Sequence, residues 1–180
     1  MKIGIYGGSF NPIHFGHIGL AKWVTEHTDL DQVWLMVSPN NPLKDTSILA
    51  DEQVRLIEAR KAIANIQSPI AKQIVVSDFE FHLPRPTYTA NTLRALQEAY
   101  PEYEFTLIIG EDNLNIFNKW REYQYILDTY RIFVYPRRNI ISQTSQQHED
   151  ILRKANNVKL LADAPYFDIS STELRKNLHN

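Results

Sequence analysis

Five short runs of apolar, β-branched and aromatic residues limit what this chain can fold into more than any other feature. They are KIGIY (2–6), QVWLMV (32–37), QIVVSDF (73–79), EFTLII (104–109) and RIFVY (131–135). Most are continuous rather than alternating, the pattern of strands buried on both faces. The segments between them carry helical signals. Residues 15–28 set Ile18, Ala21 and Val24–Thr25 on one face. Asp51 is a good N-cap for a helix over 51–65, whose spacing predicts Val54, Ile57 and Ala64 as its apolar stripe. ANTLRALQEA (90–99) reads as a helix ending before Pro101, and EDILRKA (149–155) as a further short one.

Strands alternating with helices predict an α/β fold, a Rossmann-like doubly wound parallel sheet with helices on both faces. A length of 180 residues suits one well-packed domain, so residues 1–180 are expected to form a single unit. Two loops rich in turn formers, SPNNPLKD (38–45) and HLPRPTY (82–88), follow predicted strands, at the sheet edge where open α/β folds bind ligands. NIISQTSQQH (139–148) is polar and reads as a loop.

The net charge of −2 offers no general attraction for nucleic acid or a membrane surface, so neither is expected as a partner. Any phosphate binding must come from a few placed groups. With no cysteine, disulfides and thiolate chemistry are excluded. MKIGIYGG is too short an apolar start for a signal peptide, and no stretch reaches the roughly 18 apolar residues of a membrane span, so a cytoplasmic protein is expected. Oligomeric state is not readable, and a homo-oligomer stays open.

GGSFNPIHFGH (7–17) falls between the first strand and the first helix. Gly7 and Gly8 would permit positive φ and a close ligand approach, and the following helix offers unpaired N–H groups to an anion. The stretch matches neither G-x-x-x-x-G-K-[ST] nor G-x-G-x-x-G. His14 and His17, three residues apart, can face one side with Gly16 leaving that side open. Either histidine alone would be an ordinary capping or surface residue; the pair within a glycine-rich turn points to function. FDISSTELR (167–175) adds a second element. Ser170 and Glu173 form an S-x-x-E capping box, so a helix should begin here, with hydroxyls at Ser170, Ser171 and Thr172 and with Arg175 able to reach phosphate oxygens.

GGSFNPIHFGH resembles the G-x-F-x-P-x-H-x-G-H signature of the nucleotidylyltransferases that share a T/H-x-G-H motif with class I aminoacyl-tRNA synthetases. FDISSTELR is similar to their I-S-S-T-x-[IL]-R element. The resemblance implies that His14, His17 and Arg175 are catalytic, stabilising charge on the reacting α-phosphate. It implies an ATP site of Gly8, Ser9, Phe10, His14, His17, Gly110, Asp112, Ser170, Ser171, Thr172 and Arg175. RPTYTANTL (85–93) resembles the S-Y-T-x-x-T-L element of bacterial nicotinate-nucleotide adenylyltransferases, with Thr87 in place of the usual serine. LIIGEDNLNIFNKW (107–120) resembles their I-I-G-x-D-x-L…W stretch, departing at Asn113, as Leu43 departs elsewhere. By that resemblance Asn11, Lys44, Tyr88, Thr89 and Trp120 bind the acceptor, with Trp120 stacking on a pyridine ring.

The implied substrates are ATP and nicotinate mononucleotide. The chain shows no carboxylate cage, so no metal-binding residue is expected and Mg²⁺ should arrive with ATP. Rival readings are the same chemistry on phosphopantetheine or with CTP, a nucleotide sensor without turnover, and a tRNA-acylating fragment. The last lacks a K-M-S-K-S-type loop and enough chain for tRNA contacts.

Overall fold

Six parallel strands hydrogen-bond into one sheet in the order β3-β2-β1-β4-β5-β6. This computed structural model describes residues 1–39, 50–136, 151 and 155–166. The strands are β1 (Lys2–Gly8), β2 (Gln32–Val37), β3 (Ile74–Ser77), β4 (Glu104–Gly110), β5 (Arg131–Tyr135) and β6 (Val158–Leu160). The five apolar runs each became a strand. The three-residue β6 carries too little pattern to be read from sequence and is recruited by pairing with β5. The helices are α1 (Phe15–His27), α2 (Glu52–Ala64), α3 (Thr89–Ala99), α4 (Glu111–Leu114) and α5 (Tyr123–Thr129). The last two are short and were not anticipated. Most of the helix predicted over 149–155 and all of the loop 139–148 lie outside the described residues.

Both faces of the sheet are buried, which is why the strand sequences are apolar without a break. One face packs Tyr6, Leu35, Ile108 and Phe133 against Leu20, Ala21 and Val24 of α1 and Leu56, Ala59 and Ile63 of α2. The other packs Ile3, Ile5, Leu107, Ile109, Ile132 and Val134 against Ala90, Leu93 and Leu96 of α3 and Ile126 of α5. The chain winds outward from β1 through β2 to β3, then crosses back to place β4 on the free side of β1. The direction of winding therefore reverses between β1 and β4. The carboxyl ends of two strands at such a reversal are the place where open α/β sheets receive ligands.

Helix α2 departs from its predicted face. Val54 and Ile57 are about half exposed, whereas Arg55, Leu56, Ala59 and Ile63 face the sheet. The phase is rotated because a guanidinium, at 1% exposure, is part of the core. Its Nη1 donates to the carbonyls of Ser9 and Ser38, its Nη2 to Pro39 and its Nε to Ala50. Burying a charge is tolerable only when its donors are satisfied, and here backbone oxygens from three segments satisfy them. Asp51 caps α2 as expected, accepting from the N–H groups of Gln53 and Val54.

Arg55→Ala should lower stability to unfolding by about 3 kcal/mol, because four carbonyls lose their shared donor. Arg55→Lys should recover little, since one ammonium lacks the fork. Urea unfolding of both variants checks this, and a loss below about 1 kcal/mol for the alanine form would contradict the bracing role.

Candidate active site

Strand β1 runs straight into the glycine-rich segment. The first segment's sharp bend is not at a glycine: no described glycine has positive φ, whereas Phe10 adopts φ 45°. The left-handed geometry is held by burial, with the Phe10 ring at 2% exposure and edge-on to Tyr6 and His17 at 5.8 Å and 5.0 Å. Gly8 is favoured for a different reason than freedom of φ. A Cβ there would stand 3.1 Å from the Phe10 ring. A Cβ on Gly7 would meet nothing within 4 Å, so internal packing does not demand that glycine. Behind this segment, Asn11 is buried and its Oδ1 accepts from the Ala50 N–H at 3.4 Å.

His14 occupies the N-cap of α1 in extended backbone geometry. Its Nδ1 accepts from the Gly16 N–H at 3.2 Å, and the Nδ1 of His17 accepts from the His14 N–H at 3.2 Å. This is a capping box built from two imidazoles, each satisfying a backbone donor that the helix start leaves over. The arrangement fixes chemistry as well as structure. A neutral ring accepting at Nδ1 carries its proton on Nε2, so both rings are set as Nε2–H donors. The two rings stack, with centroids 3.7 Å apart and planes 27° from parallel. Two donors are thus held side by side at the amino end of a thirteen-residue helix, where the dipole favours an anion.

On the neighbouring strand, Gly110 ends β4 two residues beyond Ile108, the partner of Tyr6, and serves as the N-cap of α4. Asp112 follows in the first turn of α4, exposed at the sheet edge. Tyr88 is the N-cap of α3 and Thr89 its first residue; no side chain caps that helix. Trp120 packs on Phe117 at 5.2 Å, at the margin of the core, and its indole N–H is buried without a hydrogen-bond partner among the described residues. Lys44, Ser170, Ser171, Thr172 and Arg175 lie outside the described residues. Among those described, no group of three or more His, Cys, Asp or Glu side chains could hold a metal ion, and no helix is long and apolar enough to cross a membrane.

The cytidylyltransferase-like family profile matches residues 5–177. A Flavobacterium psychrophilum protein named probable nicotinate-nucleotide adenylyltransferase is 44% identical, covering 100% of this chain and 88% of its own length. Its namesake in Bacteroides fragilis is also 44% identical, with 98% and 82% covered. The chain belongs to the nicotinate-nucleotide adenylyltransferases. It is accordingly a nucleotidyltransferase. Its fold matches the solved Plasmodium falciparum nicotinic acid mononucleotide adenylyltransferase complexed with NaAD, with TM-score 0.80 over 97% of this chain and 82% of that one. At 24% identity that likeness concerns the fold.

This adenylyltransferase-family chain also contains two site-bracing residues that sequence reading missed. Arg55 is one; its signal was a cation in phase with Leu56, Ala59 and Ile63, masked by a competing apolar stripe. Glu80 is the other. It lies in a 3-10 turn (Phe79–His82), at 7% exposure. Its Oε1 accepts from the Thr92 hydroxyl at 2.8 Å and its Oε2 from Thr87 at 3.5 Å, with Ser38 as a further hydroxyl partner. Its only sequence signal was a carboxylate flanked by two phenylalanines. Burial pushes the Glu80 carboxyl above its ordinary range, and the three hydroxyls partly oppose that rise.

The folded chain therefore holds the Glu80 proton at pH values above the ordinary carboxylate range, where the unfolded chain has released it. Stability from this group falls as pH rises through those values. Glu80→Gln cannot titrate, so its stability relative to the parent should increase between about pH 4 and about pH 8. Urea melts across that range measure the difference, and a flat one would reject the assignment.

Proposed function

We propose that this chain transfers the adenylyl group of ATP to nicotinate mononucleotide, releasing pyrophosphate and forming nicotinate adenine dinucleotide. Family membership supports the reaction class. The observation that carries the residue assignment is the imidazole capping box, which directs two N–H donors from one helix start.

In this reading a phosphate oxygen of the acceptor attacks the α-phosphorus of ATP. That P–O bond forms as the bond to the leaving pyrophosphate oxygen breaks, in line and with the electron pair departing on pyrophosphate. The attacking phosphate is already ionised near neutral pH, so no general base is required. The chain's task is to hold two polyanions together and to meet the charge that builds on the transferring group. His14 and His17 donate to the triphosphate through Nε2, beside the backbone of Gly8, Ser9 and Phe10. Gly110 and Asp112 border the nucleotide from the junction of β4 and α4. Arg175, with the hydroxyls of Ser170, Ser171 and Thr172, is assigned to the ATP side, and Lys44 and Asn11 to the acceptor. Tyr88, Thr89 and Trp120 receive the pyridine end. Mg²⁺ enters as part of the MgATP substrate. Residues 1–180 act as one catalytic unit, in the cytoplasm.

Pyrophosphate release, followed with ATP and each of nicotinate mononucleotide, nicotinamide mononucleotide and phosphopantetheine, tests the assignment. Turnover should require a pyridine mononucleotide, and turnover with phosphopantetheine alone would replace this reading. His17→Ala should lower kcat on the order of 10²-fold, the scale for losing one donor to a charge-building transition state. Unchanged kcat in a variant that melts normally would remove His17 from the chemistry.

A further inference from the structure

We propose that Glu80 is a positioning residue for the reaction: as a carboxylate it gathers hydroxyls from three segments and so fixes the backbone at Tyr88 and Thr89. The inference rests on the activity proposed above, in which those two residues receive the acceptor. It adds the charge state of a side chain behind them.

Glu80 is buried, and its hydroxyl partners come from different parts of the chain. Ser38 follows β2, Thr87 lies immediately before Tyr88, and Thr92 sits within α3. The Thr92 hydroxyl makes a second contact, pointing also at the Tyr88 carbonyl at 3.3 Å. That carbonyl accepts the N–H groups of Asn91 and Thr92 at 2.9 Å and 3.0 Å, the first backbone bonds of α3. No side chain caps this helix start. Glu80 instead holds a hydroxyl on each flank of Tyr88, Thr87 at 3.5 Å and Thr92 at 2.8 Å.

The charge of the carboxyl decides how firmly that arrangement is held. Ionised, Glu80 offers acceptors only, so all three hydroxyls can donate to it at once through charge-assisted bonds. Protonated, one of its oxygens becomes a donor, and one hydroxyl must turn round and accept. Thr92 has a single O–H to divide between Glu80 and the Tyr88 carbonyl, so a weaker acceptor at Glu80 shifts that proton onto the helix start. Neighbouring charges do not set this balance. On the same turn, Asp78 pairs with Arg60 of α2 and His82 is exposed. Arg85 of the following loop pairs with Glu52, Arg94 of α3 pairs with Glu122, and β2 carries no charged residue. Burial and the hydroxyls of Thr92, Ser38 and Thr87 govern the carboxyl. A buried carboxylate is a costly choice where an amide or an apolar side chain could fill the space.

The experiment measures kcat, KM for nicotinate mononucleotide and KM for ATP across pH in the parent, Glu80→Gln and Thr92→Val. At about pH 8, Glu80→Gln should raise the acceptor KM about fivefold, with kcat and the KM for ATP within about twofold. As pH falls toward about 5 the parent carboxyl gains its proton, and the ratio of variant to parent acceptor KM should shrink toward one. Titration of the substrates and of the histidines cancels in that ratio, because both proteins share them. Thr92→Val should raise the same KM with the same pH dependence, and it keeps the test decisive should Glu80→Gln fold poorly. The two changes combined should cost less than their sum, since both break one contact. A KM ratio that stays constant with pH, or variants that lose thermal stability with the acceptor KM unchanged, overturns the role of Glu80 alone. A parent enzyme that uses neither nicotinate nor nicotinamide mononucleotide overturns the activity reading and this inference together.

Discussion

Four backbone carbonyls converge on one buried guanidinium, and the geometry of the ligand edge depends on that convergence. Arg55 reaches from α2 to Ser9 after β1, to Ser38 and Pro39 after β2, and to Ala50 before its own helix. Loops at the carboxyl end of a parallel sheet have no neighbouring strand to satisfy their carbonyls. An apolar residue at position 55 would leave those oxygens buried and unpaired. The arginine turns three separate loop ends into one rigid platform. The segment carrying Phe10, His14 and His17 starts from that platform.

From the same platform a polar path leads toward the start of α3. The Ser38 N–H donates to the Gly8 carbonyl at 2.9 Å, and the Ser38 hydroxyl approaches Glu80. Glu80 then takes the hydroxyls of Thr87 and Thr92, on either side of Tyr88. Residues assigned to the triphosphate and residues assigned to the pyridine end are thus tied through buried hydrogen bonds rather than through loose loops. Fixed anchoring of that kind suits a reaction whose rate depends on holding two anions at a set separation.

Much of this was open to a reader of the sequence, and the failures have physical causes. Continuous apolar runs can be buried on both faces only in a covered sheet, so β1 to β5 were legible. The histidines were legible because their spacing and the glycines around them form one local unit. Helix α2 was misread because two stripes, one led by Val54 and Ile57 and the other by Arg55 and Leu56, satisfy the same periodicity. The first is wholly apolar, and only the carbonyls that meet Arg55 in the folded chain select the second. The conformational role given to Gly7 and Gly8 was also misplaced, since the bend falls on Phe10 and a ring, not a missing side chain, holds it.

Local order alone set the strand-and-helix alternation, the capped start of α2 and the pairing of His14 with His17, since each depends on residues within a few positions of one another. Tertiary contact alone decided which face of α2 is buried, that burial raises the Glu80 carboxyl against three opposing hydroxyls, and that the Arg121 guanidinium lies over the Tyr88 ring. Those outcomes join residues many positions apart. Burial, and with it the cost of an unsatisfied charge or carbonyl, exists only once the sheet has closed around them.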